Sequence, residues 1–183
     1  MLIAIATPTW ADAPTPTPEA PLLSSEPSDT RIHADAMLGY SSQNLNLGLG
    51  VRGGKAWANH FYLGGLLVYE VGTSSSASTD GITASGSMHG LYIGPEAGYE
   101  LRFNALPVVF RPYVGLGISS AFGSATAAGM SVSGSSTEVG FWPGIAARYR
   151  LSSVDIGGDF RIVTGPWGTS VGLFVTGGMF LGS

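Results

Sequence analysis

The chain has 183 residues, 28 of them glycine and none cysteine, with 11% charged residues and a formal net charge of −4. That length suits one domain; so little charge cannot coat a soluble surface, which usually carries roughly 25–35%, and the scattered basic residues leave no electrostatic footprint for nucleic acid. The absence of cysteine excludes a disulfide or thiolate metal site, and no apolar run reaches the roughly 18 residues that a membrane helix requires.

Residues 1–13 read as the remnant of a secretory signal, with apolar Leu2-Ile3-Ala4-Ile5-Ala6 followed by Ala11-Asp12-Ala13 as a cleavage site. Residues 14–29 are proline-rich and aperiodic, as expected of an extended periplasmic tether. From Thr30 onward the sequence alternates with period two, and residues 30–183 form one barrel domain.

The first predicted strand, Thr30 to Tyr40, sets Ile32, Ala34, Ala36, Leu38 and Tyr40 against Arg31, His33, Asp35, Met37 and Gly39. The second sets Leu45, Leu47, Leu49 and Val51 against Asn44, Asn46, Gly48, Gly50 and Arg52, and Gly53 to His60 reads as a turn. The third places Phe61, Leu63, Leu67, Tyr69 and Val71 opposite a face that ends in Glu70.

The fourth and fifth strands carry the clearest alternation. Leu91, Ile93, Pro95, Ala97, Tyr99, Leu101 and Phe103 oppose Glu96, Glu100 and Arg102; Val108, Phe110, Pro112, Val114, Leu116 and Ile118 oppose Arg111, Tyr113 and glycines. The sixth sets Val139, Phe141, Pro143, Ile145, Ala147, Tyr149 and Leu151 against Trp142, Arg148 and Arg150. The seventh sets Val154, Ile156, Phe160 and Ile162 against Asp155, Asp159 and Arg161, and the eighth ends the chain with Val171, Leu173, Val175, Met179 and Leu181 on one side.

One apolar face and one face of charge and glycine fit either a greasy-cored soluble barrel or a membrane barrel with a polar lumen. The scarcity of charge selects the second. The expected fold is therefore all-β, an eight-stranded antiparallel up-and-down transmembrane β-barrel. Residues 72–87, 119–138 and 163–170 read as long, mobile surface loops, whereas 104–107 and 152–153 read as short turns.

This asymmetry places both termini in the periplasm of an outer-membrane protein. Aromatics should ring the two rims of the lipid face, with Phe61, Phe103, Phe110 and Tyr149 at the short-turn rim and Tyr40, Tyr69 and Phe141 at the other, Trp167 being a further candidate there. Leu47 and Leu116 fall near mid-membrane, and Pro95, Pro112 and Pro143 should each cause a bulge or a lost ladder bond.

Arg111-Pro112-Tyr113-Val114-Gly115-Leu116-Gly117 resembles a strand often carried by the small outer-membrane barrels of the outer-membrane-protein A, X and opacity-protein type. The resemblance extends loosely over residues 30–183. It implies eight strands, monomeric insertion in a bilayer beside lipopolysaccharide, delivery by the outer-membrane assembly machinery, and no cofactor.

Arg31, Asp35, Arg52, Glu96, Glu100, Arg102, Arg111, Arg148, Arg150, Asp155, Asp159 and Arg161 share the lumen face, where they can satisfy one another as ion pairs. Turn counting sets Phe103 opposite Val108 and hence Glu100 opposite Arg111 and Gly98 opposite Tyr113. It also sets Leu151 opposite Val154, Arg150 opposite Asp155, and Asp159 within diagonal reach of Arg148. A filled barrel with a structural or adhesin-like surface role follows. A small porin is the alternative, and a lipid hydrolase using rim residues His89, Ser85 and Ser87 is the third reading, although no acid completes a motif there. No metal-ligand motif stands out.

Overall fold

The computed structural model describes residues 30–42, 45–72, 74–79, 82–103 and 106–181. The signal and tether readings, residues 1–13 and 14–29, lie outside the described residues, as do the Asn104-Ala105 turn and Gly182-Ser183. The strands are β1 (Ile32–Ser41), β2 (Leu45–Ala56), β3 (Phe61–Gly72), β4 (Ser74–Thr79), β5 (Ile82–Tyr99), β6 (Leu101–Phe103), β7 (Leu106–Ala127), β8 (Met130–Leu151), β9 (Val154–Gly165) and β10 (Gly168–Leu181). Here β4 prolongs β3 and β6 prolongs β5, so the ten segments are eight staves. All pairings are antiparallel, β1 pairs with β10, and the β5–β7 pairing closes the cylinder. Closure removes the open edges that could not be satisfied in lipid.

Alternation assigns the faces. Leu38, Leu49, Val51, Val114, Ile145, Ile156 and Val175 are exposed on the outside, whereas Arg52, Glu96, Glu100, Arg111, Arg148 and Arg161 are buried. A period of two converts that inversion of ordinary solubility into a lipid belt around a polar interior. Within the lumen, Met37, Leu66, Val68, Tyr92, Tyr113, Trp142, Ala146, Val163 and Phe174 form an apolar cluster.

Glycine makes room for the larger groups. Gly115 stands between Glu96 on β5 and Trp142 on β8 in one row of the sheet; a Cβ there would lie 1.8 Å from Trp142 Nε1. The two flanking side chains therefore meet across the gap that glycine leaves, and Trp142 Nε1 donates to Glu96 Oε1 at 3.0 Å.

Several expectations are corrected. Residues 53–56 belong to β2, and the turn tightens to 57–60, with His60 at φ 68 as its left-handed residue. The long loops are largely ladder: β7 and β8 continue to a two-residue turn at Ala128-Gly129, both with positive φ. That is the sign pattern of a type I′ hairpin, whose twist matches the strands it joins. Once the barrel has fixed the register, each further pair satisfies backbone groups, and small serine, threonine and alanine side chains do not oppose it.

The three prolines produce lapses rather than bulges. Pro95 is in register with Gly65, yet the β5–β7 pairing skips from Ile93 to Glu96. Pro143 is in register with Val114, while the β8–β9 pairing skips from Phe141 to Gly144. Pro112 is in register with Ile145, and its other side coincides with the break between β5 and β6. Each proline thus spends its missing donor on one ladder and leaves the overall register intact.

Candidate functional site

The interior contains two joined ionic clusters. In the central one Arg52 bridges Glu96, Nε to Oε2 at 2.7 Å, and Asp159, Nη1 to Oδ2 at 2.9 Å. Arg161 Nε donates to Asp159 Oδ1 at 2.6 Å, and the Tyr113 hydroxyl donates to the same carboxylate at 2.9 Å. Aromatic faces complete the enclosure, with the guanidinium of Arg52 4.5 Å from the Tyr113 ring centre and that of Arg161 4.6 Å from Phe174. Two cations and two carboxylates balance, which buried charge requires.

The second cluster lies nearer the end that carries both described termini. Glu100 accepts from Arg111 at 2.7 Å and Arg148 at 2.5 Å, with Arg102 at 3.2 Å and Arg150 at 3.7 Å. His33 Nε2 lies 2.6 Å from Asp155 Oδ2 and 3.0 Å from Asp35 Oδ1. Arg111 packs 3.6 Å over Tyr62, and Arg31 and Arg150 flank the Phe180 ring at 4.7 and 4.9 Å.

The twelve residues assigned to the lumen network lie on the lumen side of their strands, but the turn arithmetic fails in three places. Gly98 does pair with Tyr113, and Glu100 meets Arg111. Phe103 pairs with Leu106, not Val108, because the register shifts between Arg102 and Phe103, below the ion pair. Arg150 is opposite Asp155 in the ladder, yet its guanidinium approaches Glu100. Asp159 sits opposite Ala146 and binds Arg52 and Arg161, not Arg148. Long side chains cross a narrow lumen and choose partners on distant strands.

Tyr62, Tyr113, Trp142 and His33 carry the network and were not singled out by charge; beyond the pairing of Tyr113 with Gly98, their sequence signal was a lumen parity shared with the arginines. Glu70, at the end of the inner face of β3, is fully buried, and its carboxylate accepts no hydrogen bond among the described residues.

On the outer face Tyr40, Phe61, Tyr69, Phe141 and Tyr149 are exposed, while Phe103 and Phe110 are half-buried and meet edge to face at 5.8 Å. Trp57 and Tyr99 join the lower group, beside Phe61 and His60 respectively. Trp167 leaves the rim and packs against the lumen cluster, 6.4 Å from Tyr92. His89 stacks on Tyr69 at 6.0 Å, and Ser87 bonds Ser124 at 3.0 Å, so these two rim residues are engaged with other side chains.

Above the belt, β4 and the upper parts of β5, β7 and β8 rise as a four-stranded sheet, where small residues occupy both faces and the apolar-out, polar-in division lapses. The side continuing the lipid face carries cross-strand hydroxyl pairs, Ser78 with Thr83, Ser87 with Ser124, Ser120 with Thr137 and Thr126 with Ser131, each at 2.9–3.0 Å. The side continuing the lumen carries Ala84, Met88, Ala125, Ala127, Met130 and Val132, by the register of the strands. Among the described residues β4 pairs only with β5, and Met130–Gly140 of β8 pairs only with β7, so both margins are open.

No family model matches the chain, and no curated protein matches it. Solved structures do. A major outer-membrane protein from Thermus thermophilus superposes with a TM-score of 0.62 at 13% identity, covering 84% of this chain and 100% of its own. Neisserial surface protein A gives 0.56 at 18%, covering 87% and 99%. The chain has the eight-stranded outer-membrane barrel fold. The attachment invasion locus protein of Yersinia pestis, solved with the heparin analogue sucrose octasulfate, gives 0.50 at 16%, covering 82% and 96%.

The Glu100–Arg111 contact of this barrel is open to a double-mutant cycle. Glu100→Gln and Arg111→Met should each destabilise, and the double variant should recover about 0.5–3 kcal/mol of the summed loss in a urea titration of the refolded protein. Strictly additive losses would refute the coupling.

Proposed function

We propose that the protein is a monomeric bacterial outer-membrane barrel, with periplasmic termini and a plugged lumen, that holds a contact surface above the bilayer. Residues 1–13 would direct export and 14–29 would serve as a tether; lipopolysaccharide and lipid would contact the belt, and the outer-membrane assembly machinery would insert it. The observation that carries this reading is the protruding sheet, whose exposed backbone margins offer strand pairing to a partner. Residues 74–90 and 119–140 contain no lysine or arginine, so a sulfated polyanion such as the Yersinia protein's ligand finds no counter-charge there. An uncharged, extended polypeptide fits better.

The pore alternative is disfavoured because Trp142, Arg161, Tyr92 and Phe174 are at most 1% exposed inside the barrel. In planar bilayers the protein should show no steady conductance; an ohmic channel would replace this reading with a porin. Cells displaying the full chain should adhere to protein-coated surfaces or to one another. Cells displaying equal amounts of a barrel trimmed at residues 74–87 and 120–137 should not, and equal adhesion would overturn the contact role. A phospholipid-release assay should be blank.

A further inference from the structure

We propose that His33, Asp35 and Asp155 form a binding site for a divalent transition-metal ion of the zinc type, which staples the seam where the barrel closes. The first strand, β1, pairs with the last, β10, and β10 pairs with β9. In that register Asp35, Gly178 and Asp155 make one row across three strands. Gly178 has no side chain to separate the two carboxylates. A Cβ on it would lie 2.1 Å from Asp35 Oδ1, 2.7 Å from His33 Nε2 and 2.8 Å from Asp155 Oδ1. The space above this glycine is therefore bounded by an imidazole nitrogen and two carboxylates, and their ligating atoms lie within 4.8 Å of one another.

The donors are buried, His33 at 2% exposure, Asp35 at 3% and Asp155 at 4%. Among the described residues both oxygens of Asp35 and Oδ1 of Asp155 accept no hydrogen bond. The two buried carboxylates face the His33 imidazole, 3.0 Å from Asp35 Oδ1, and the Arg148 guanidinium, 3.6 Å from Asp155 Oδ2 and shared with Glu100, so a further cation would complete their balance. A tetrahedral zinc site, with bonds of about 2.0–2.2 Å, needs ligand atoms about 3.3 Å apart. His33 Nε2 already stands 2.6 Å from Asp155 Oδ2 and 3.0 Å from Asp35 Oδ1, so these two edges need to open by less than an ångström, while the carboxylate–carboxylate edge lies within 4.8 Å.

Arg148 is the competing cation. Its Nη1 lies 2.9 Å from Nδ1 and 3.1 Å from Nε2 of His33. Near-equal approach to both nitrogens places it over the ring, not along either in-plane lone pair, so the metal-facing direction of Nε2 stays directed at the carboxylates. Its other nitrogen, Nη2, is held by Glu100, which retains the guanidinium charge when the metal arrives. Phe180, tilted over His33 with ring centres 4.9 Å apart, covers the site and must move to admit the ion. One imidazole and two carboxylates favour zinc or manganese over calcium, which prefers an all-oxygen shell.

The test uses the full chain refolded in detergent, its folding verified by heat-modifiable migration. Zinc should bind with one equivalent at high affinity, and copper(II) as a spectroscopic probe should show hyperfine coupling to a single nitrogen. His33→Ala and Asp35→Asn should each weaken zinc binding by at least about tenfold, because even outer-shell partners of a metal cost that much. Gly178→Ala, which fills the cradle, should do the same, whereas His60→Ala and His89→Ala should leave binding unchanged. If the folded chain takes up no stoichiometric zinc, or if folded His33→Ala binds as wild type does, the assignment is wrong. Neither result bears on the adhesion assay above.

Discussion

Asp159→Asn is expected to destabilise the folded barrel by about 3–5 kcal/mol, the cost of stranding a buried charge when its partner is removed. The carboxylate is 1% exposed and receives Arg52, Arg161 and the Tyr113 hydroxyl. Asparagine keeps the volume but removes the charge, and it leaves two guanidinium groups to share Glu96, which already holds Arg52. The loss should appear as a lowered urea midpoint in lipid refolding, without a change of slope. Adding Arg161→Met should recover part of it, since methionine takes the place of the charge beside Met37 and Phe174, and Arg52 keeps Glu96. A double variant no better than the single one would mean that shape, not charge balance, is what Asp159 supplies.

The faces of this barrel were legible because lipid tolerates no exception. Every outward position from Ile32 to Leu181 must be apolar or small within the belt, and a one-residue slip would carry arginines into hydrocarbon. The Glu100–Arg111 contact was legible for a related reason: the irregularity at Phe103 lies below it, so an error in the turn did not propagate.

The remaining ionic partners were not legible. Arg52 of β2 reaches Asp159 of β9, and Arg148 of β8 reaches His33 of β1. Such contacts depend on the bore of the cylinder, which period and turn length do not report. The protruding sheet was hidden by composition. Serine, glycine and alanine read as solvated loop, and Ala128-Gly129 lacks the asparagine or aspartate that usually marks a type I′ turn. What holds the ladder there is the register inherited from the barrel, together with cross-strand hydroxyl pairs, of which Ser87–Ser124 and Ser120–Thr137 join residues far apart in sequence.

Ile145→Arg should cost about 2–4 kcal/mol, the penalty of an arginine at the bilayer midplane on a lipid-facing strand. Depth decides the site. On β7, Val108 pairs with Tyr149 and Leu116 pairs with Phe141, and these two aromatics mark the lower and upper rims. Ile145 of β8, paired with Pro112 and Phe160 and 42% exposed, lies midway between them. The same reasoning moves Leu47 and Leu116 away from mid-membrane, since Leu47 is in register with Tyr40 as Leu116 is with Phe141. Leu47→Arg and Leu116→Arg should therefore cost only about 0–1 kcal/mol, because the guanidinium can reach the headgroups. Val51→Arg, opposite Ala36 and Leu67 and 55% exposed, should behave like Ile145→Arg. The four variants form a depth ruler, measured as refolding midpoints into vesicles of defined thickness. Equal costs at all four positions would show that the belt is misplaced along the barrel axis, and a neutral Ile145→Arg would show that this face does not meet lipid.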